Sequence, residues 1–196
     1  MEKKQSFAAP IIVLSAICLV VSFLLAMTYK VANPIIEANT LAAAVAARQE
    51  LLPAADAFTE VELTEPATST DGKAVVTEAY SADNGAGYVM TVETTSFGGA
   101  LTMMVGIDGD GAITGVTVTE HADTPGVGTK DQTPEYLGQY QGLTALTSAA
   151  NIKKEAAALA SGGTFAYISG ASVSGQAIHS GVEAALIQAS AIGGAQ

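Results

Sequence analysis

The sequence predicts an α+β fold: an apolar N-terminal helix, a stalk helix, and then a single domain with an antiparallel sheet flanked by helices. Three observations carry this. No charged side chain stands between Gln5 and Tyr29. From Lys73 to Glu120, apolar and polar residues alternate in four runs. From Gln176 to Ala191, the residues Ile178, Val182, Ala185, Leu186 and Ala189 recur at three- and four-residue spacing, the period of a helix with one buried stripe.

The run from Phe7 to Met27 is long enough to cross about 30 Å of hydrocarbon as a helix. A cleaved signal peptide is the rival reading, but its apolar stretch is usually about 7–15 residues with a small-residue cleavage site. Ala26-Met27-Thr28-Tyr29-Lys30 offers no such site, which favours a retained anchor in the lipid bilayer. Pro10 falls in the first turns, where its missing N–H matters least. Cys18 lies mid-span as a small apolar filler. Lys3 and Lys4 precede the span and only Lys30 closely follows it, so residues 1–6 are expected in the cytoplasm and the rest outside. On this reading residues 7–29 span the cell membrane once, 30–53 form the stalk and 54–196 form the extracytoplasmic domain.

Asn33-Pro34 reads as an N-cap followed by Pro at N1, opening an Ala-rich stalk helix from about Pro34 to Leu52. Glu60 to Asp71 is polar, carries Pro66, and reads as a loop or irregular edge. Strands follow over Lys73–Tyr80, Gly87–Thr95, Leu101–Asp108 and Ala112–Glu120. Asp108-Gly109-Asp110-Gly111 joins the last two as a hairpin turn. A calcium loop would need Asp or Asn at its fifth position and Gly at its sixth, where Ala112 and Ile113 stand. Thr133-Pro134 caps a short helix through Tyr136, Leu137 and Tyr140. Asn151–Ala160 reads as a helix, Thr164–Ile168 as a short strand, and Gln176–Ala191 as the last helix.

Composition excludes several classes of function. The net charge is -11 and the 8 basic residues are scattered, whereas a nucleic-acid binder needs a basic face. From Val31 onward, five basic residues meet eighteen acidic ones. One cysteine rules out an internal disulfide framework and a Cys-ligated cluster, and two histidines argue against a His-rich metal site. No residue is assigned a metal or a catalytic role. His121 is read as filling a loop or core position, and His179, one position from the apolar stripe, as surface.

Two segments are able to carry chemistry. Ser169-Gly170-Ala171-Ser172-Val173-Ser174 precedes the last helix, and small residues there let a ligand reach unpaired helix N–H groups. A phosphate binds well in that position, and the hydroxyls of Ser172 and Ser174 can hydrogen-bond it or be esterified by it. The same residues also serve as ordinary caps. Asp123-Thr124-Pro125-Gly126-Val127-Gly128 forms a Pro-Gly turn whose exposed amides can hold an anion or a polar ring edge, or simply close a strand.

Taken together, the chain resembles a family of membrane-anchored flavin carriers found in two related pumps: the RnfG component of the Rnf complex and its counterpart, the C component, in the Na+-translocating NADH:quinone reductase. The likeness runs through the N-terminal span, Arg48-Gln-Glu-Leu-Leu-Pro53, Gly87-Tyr88, Ser96-Phe-Gly-Gly99, Val105-Gly-Ile-Asp-Gly-Asp-Gly111 and Ile113-Thr-Gly-Val116. Its most specific parts are His121-Ala-Asp-Thr-Pro-Gly-Val-Gly128 and Ile168-Ser-Gly-Ala-Ser172. The resemblance implies a covalent flavoprotein, with FMN joined by a phosphoester to Ser172, where the family commonly has Thr. Ser169, Gly170, Ala171, Ser174, Asp123, Thr124, Pro125, Gly126, Val127 and Gly128 would border the cofactor. Ala166 stands where an Asp read by a flavin transferase is usual, and Asp123 and Val127 where Glu and Leu are commoner. Expected partners are the membrane and iron–sulfur subunits of an Rnf-type complex, the transferase and the bilayer, with no nucleic acid. The implied role is electron transport between ferredoxin and NAD+ coupled to ion movement. A pilin-like or membrane-tethered binding protein shares the apolar helix and stalk and stays as the alternative.

Overall fold

The computed structural model describes residues 8–146 and 165–193 of the chain. Two compact units form, Met1–Val45 and Ala46–Gln196. The first is helical: α1 spans Ala8–Leu51 and carries Pro34 inside it. The expected helix start at Asn33-Pro34 is therefore absent. Proline withholds one N–H and crowds the carbonyl four residues earlier, but the Ala-rich and apolar turns on either side keep their own ladders. The large apolar side chains from Ile11 to Met27 are exposed. Among the described residues, this is the one helix long and apolar enough to cross a membrane, which fits a single-pass membrane protein.

The second unit is built on a five-stranded antiparallel meander, β1 Phe58–Val61, β2 Val75–Ala82, β3 Gly87–Thr95, β4 Ala100–Asp108 and β5 Ile113–His121, in that spatial order. Four strands lie where alternation predicts them, β3 with both bounds. The first falls partly in the stretch that sequence alone reads as a loop. Phe58, Thr59 and Val61 favour a strand, but a run of four is too short to show a period, and pairing of Phe58 with Ala82 through Val61 with Ala79 supplies the ladder. The β4–β5 turn is closed by Asp108, whose carboxylate accepts from the N–H groups of Asp110 and Ala112 at 3.0 and 2.8 Å.

Side chains alternate across the pleat. Leu101, Met103, Val105 and Ile107 of β4, with Met90 and Val92 of β3, face the core formed with α3, Ser172–Gly193. On the other face Leu51 packs against Gly106 and Gly115, and the Thr114 hydroxyl donates to the Leu51 carbonyl. Arg48 lies over the ring of Tyr80 at 3.4 Å, a buried cation held by an aromatic face.

The short α2, Pro134–Leu137, starts at Thr133, whose side chain accepts from the N–H of Tyr136 as a cap. A 3-10 turn continues to Tyr140. Phe165 to Ile168 pair with no strand among the described residues, against expectation, although Phe165 is buried. The helix expected over 151–160 lies outside the described residues. The last helix begins at Ser172, four residues before the predicted Gln176, because apolar periodicity begins only there while Ser-Val-Ser-Gly makes the first turn. It is also buried on nearly all sides between sheet and loops, so the one-stripe reading misplaces His179 at the surface. His179 is fully buried, edge-on to Phe165 with centroids 4.9 Å apart.

Candidate functional site

The two sequence segments meet at one cavity of about 460 Å³, bordered by Phe97, Asp123, Thr124, Val127, Gly128, Gly170, Ala171, Ser172, Val173 and Ser174. That volume falls within the range of small-molecule sites.

Local turn chemistry brings them there. The N–H of Val127 bonds the Thr124 carbonyl at 3.1 Å with Gly126 at φ 74°, the type II arrangement that Pro-Gly favours. The N–H of Ala171 bonds the Ile168 carbonyl at 3.0 Å with Gly170 at φ 87°, a second turn that needs glycine in third place. The first helical bond of α3 then runs from the Gly175 N–H to the Ala171 carbonyl at 3.0 Å. The N–H groups of Ser172, Val173 and Ser174 precede any intrahelical partner and form the positive end of the helix dipole beside the cavity.

The structure separates the three serines. Ser169 is exposed and does not border the cavity. Ser174 is buried, and its hydroxyl is hydrogen-bonded to that of Ser96 at 3.0 Å. Ser172 is half-buried at the cavity wall, at the first position of α3. Of the turn residues, Pro125 and Gly126 are exposed and lie off the cavity, while Asp123, Thr124, Val127 and Gly128 border it. His121 ends β5 exposed and off the cavity, neither loop nor core.

Asp123 is buried, with both oxygens engaged inside the protein. Its Oδ1 accepts from the Ser96 hydroxyl and from the Gly98 N–H at 3.0 Å, and its Oδ2 from the Gln132 side chain at 3.1 Å. One carboxylate thus ties the 96–99 turn to the 123–128 loop, and Ser96 extends the tie to α3. Phe97 and Val173 are not among the site residues that sequence reasoning selects. An aromatic in a Ser-Phe-Gly-Gly turn is the available signal for the first; Val173 reads as part of the α3 turn.

Behind this wall lies Asp131, fully buried next to the first turn of α3. Burial pushes its carboxyl up to about 6, against the pull of the facing Gly175 and Ile168 N–H groups and with a further push from the charge of Asp123. Neither carboxylate oxygen lies in good hydrogen-bond geometry with a donor among the described residues. Burial also raises the Tyr136 hydroxyl, with the charge of Asp131 adding to it.

Residues 96–187 match the FMN-binding domain family. The chain is 31% identical to the G component of the ion-translocating oxidoreductase complex of Methanosarcina acetivorans, over 93% of this chain and 96% of that protein. It is 23% identical to the G component of the proton-translocating ferredoxin:NAD(+) oxidoreductase complex of Clostridium ljungdahlii, over 89% and 87%. It is 33% identical to the G component of the Na(+)-translocating ferredoxin:NAD(+) oxidoreductase complex of Acetobacterium woodii, over 61% and 62%.

The cavity fits an FMN. A planar ring needs an apolar slot without protruding charge, and the bordering side chains are mostly apolar while the Asp123 carboxylate is engaged elsewhere. A phosphate needs N–H donors and a hydroxyl, and the start of α3 offers both.

Proposed function

The chain belongs to the RnfG family of ion-translocating oxidoreductase components, and from that premise we propose that it is an electron carrier holding FMN by a phosphoester on Ser172. It would work beside the membrane and iron–sulfur subunits of a ferredoxin:NAD+ oxidoreductase, after a flavin transferase attaches the cofactor. The observation that carries the site is the difference between two serines that both border the cavity: Ser172, the first residue of α3, is only half-buried, whereas Ser174 is buried with its hydroxyl bonded to Ser96.

Each residue has a limited task. The α3 N–H groups neutralise phosphate charge, and Gly170 and Ala171 leave room for it. Phe97 and Val127 keep water from an apolar ring. FMN, when bound, supplies the electron chemistry. With the domain outside the cytoplasm, as Lys3 and Lys4 favour, a reversible site would empty. Even a micromolar Kd, about 8 kcal/mol, holds little cofactor against a dilute exterior, and an ester bond removes that loss.

The test is co-expression of the full chain with a flavin transferase. Trypsin should release a peptide beginning at Glu155, after Lys154, that carries the FMN mass. Ser172→Ala should leave it bare, and Ser174→Ala should keep it. Covalent flavin on the Ser172→Ala chain would refute the assignment.

A further inference from the structure

Outside α1, four large apolar side chains are exposed among the described residues: Val75, Phe97, Val127 and Ile187. Phe97 is the extreme case at 82% exposed, and Phe97 and Val127 border the same cavity. A phenyl group left in water forgoes about 1.5–3 kcal/mol of burial. A loose loop would let it fold down onto the surface, but this turn is held. Ser96 and Gly99 exchange backbone hydrogen bonds at 2.8 and 3.3 Å. Gly99 sits at φ 130°, a conformation that favours glycine, and Gly98 presses so closely on the Ala122 carbonyl and Asp123 that no side chain fits there. Asp123 then clamps both ends of the Ser96–Gly98 segment from a neighbouring loop. An aromatic ring held rigidly at the mouth of an apolar cavity is a platform for another planar apolar group.

We propose that Phe97 covers one face of the FMN isoalloxazine ring, and that Asp123 is the positioning residue that holds Phe97 there. This rests on the reading that the cavity takes FMN. The occupant is the cofactor ring because Phe97 borders the cavity that also contains the start of α3, so ring and phosphate sites belong to one continuous space. The carboxylate of Asp123 is engaged by Ser96, Gly98 and Gln132, so it acts through the turn and not on the ligand.

The test uses the full chain with flavin attached, verified by mass, and reads flavin fluorescence and its quenching by iodide. A ring covered on one face is shielded from iodide. Phe97→Ala should raise iodide access, with a fall of about two- to tenfold in the ratio of covered to open ring. Phe97→Trp should dim the flavin sharply, because an indole in contact donates an electron to excited flavin and a phenyl ring does not. At 82% exposure neither change threatens the fold. Asp123→Ala should reproduce the Phe97→Ala change, and the double variant should add nothing to it. Asp123→Asn keeps an acceptor for Ser96 and Gly98, and should restore near wild-type shielding, which a general loss of stability would not produce. Flavin retained by mass but equally shielded from iodide in wild type and Phe97→Ala would overturn the stacking proposal while leaving the FMN reading intact. A wild-type chain that carries no flavin would overturn both.

Discussion

Asp131→Asn should make the domain's stability less dependent on pH, and the sign follows from the structure. The Asp131 carboxyl is fully buried and titrates at about 6 in the fold against 3.8 as a free side chain. In the unfolded chain it ionises as pH passes 3.8; in the folded chain it keeps its proton until about 6. Its stabilising contribution is therefore complete below 3.8 and lost as pH rises through about 6. At 1.36 kcal/mol per pKa unit the full swing is about 3 kcal/mol, and water in the neighbouring cavity screens part of it, leaving about 1–3 kcal/mol. Asparagine has nothing to ionise. The variant should match or fall below wild type at about pH 4, and gain about 1–3 kcal/mol on it by about pH 7.5. Urea unfolding of the full chain in detergent, followed by tyrosine emission, measures this; the chain has six tyrosines and no tryptophan. Taking the difference between variant and wild type at each pH cancels the other carboxylates. A difference that stays flat across that range would refute the argument, because it would mean that Asp131 titrates as an ordinary carboxyl.

Two further outcomes are expected. Gly175→Ala places a methyl 2.6 Å from both Asp131 Oδ2 and the Tyr136 hydroxyl oxygen, so about 1–3 kcal/mol of overpacking should outweigh about 1 kcal/mol of helix propensity, and unfolding should shift to lower urea. Protease added to cells stripped of their wall should release the domain from its anchor; complete protection until lysis would reverse the orientation drawn from Lys3 and Lys4.

Much of the architecture is legible in the sequence because its causes are local. Alternation in β3 fixes which residues face α3, Asp108 and Gly111 specify their turn, and Thr133-Pro134 specifies a capped start, each within a few residues of sequence. The apolar N-terminal run and the Pro-Gly and Ser-Gly-Ala segments are legible for the same reason. What the chain alone does not reveal depends on partners far away in sequence. β1 exists because β2 pairs with it, Phe58 finding its partner only at Ala82. Asp123 reads as a ligand residue from its turn, and becomes a clamp only when Ser96, 27 residues earlier, folds against it. Ser172 and Ser174 look equivalent as text, and both border the cavity; Ser96, 78 residues from Ser174, engages the latter's hydroxyl in a buried hydrogen bond. His179 and Asp131 are polar and would favour water, yet α3 is enclosed on nearly all sides, and that enclosure is a property of the packed layers. Periodicity determines which face of an element is apolar; only the assembled fold determines what covers the other faces, and so which polar groups lose their water and which hydroxyl stays open to a ligand.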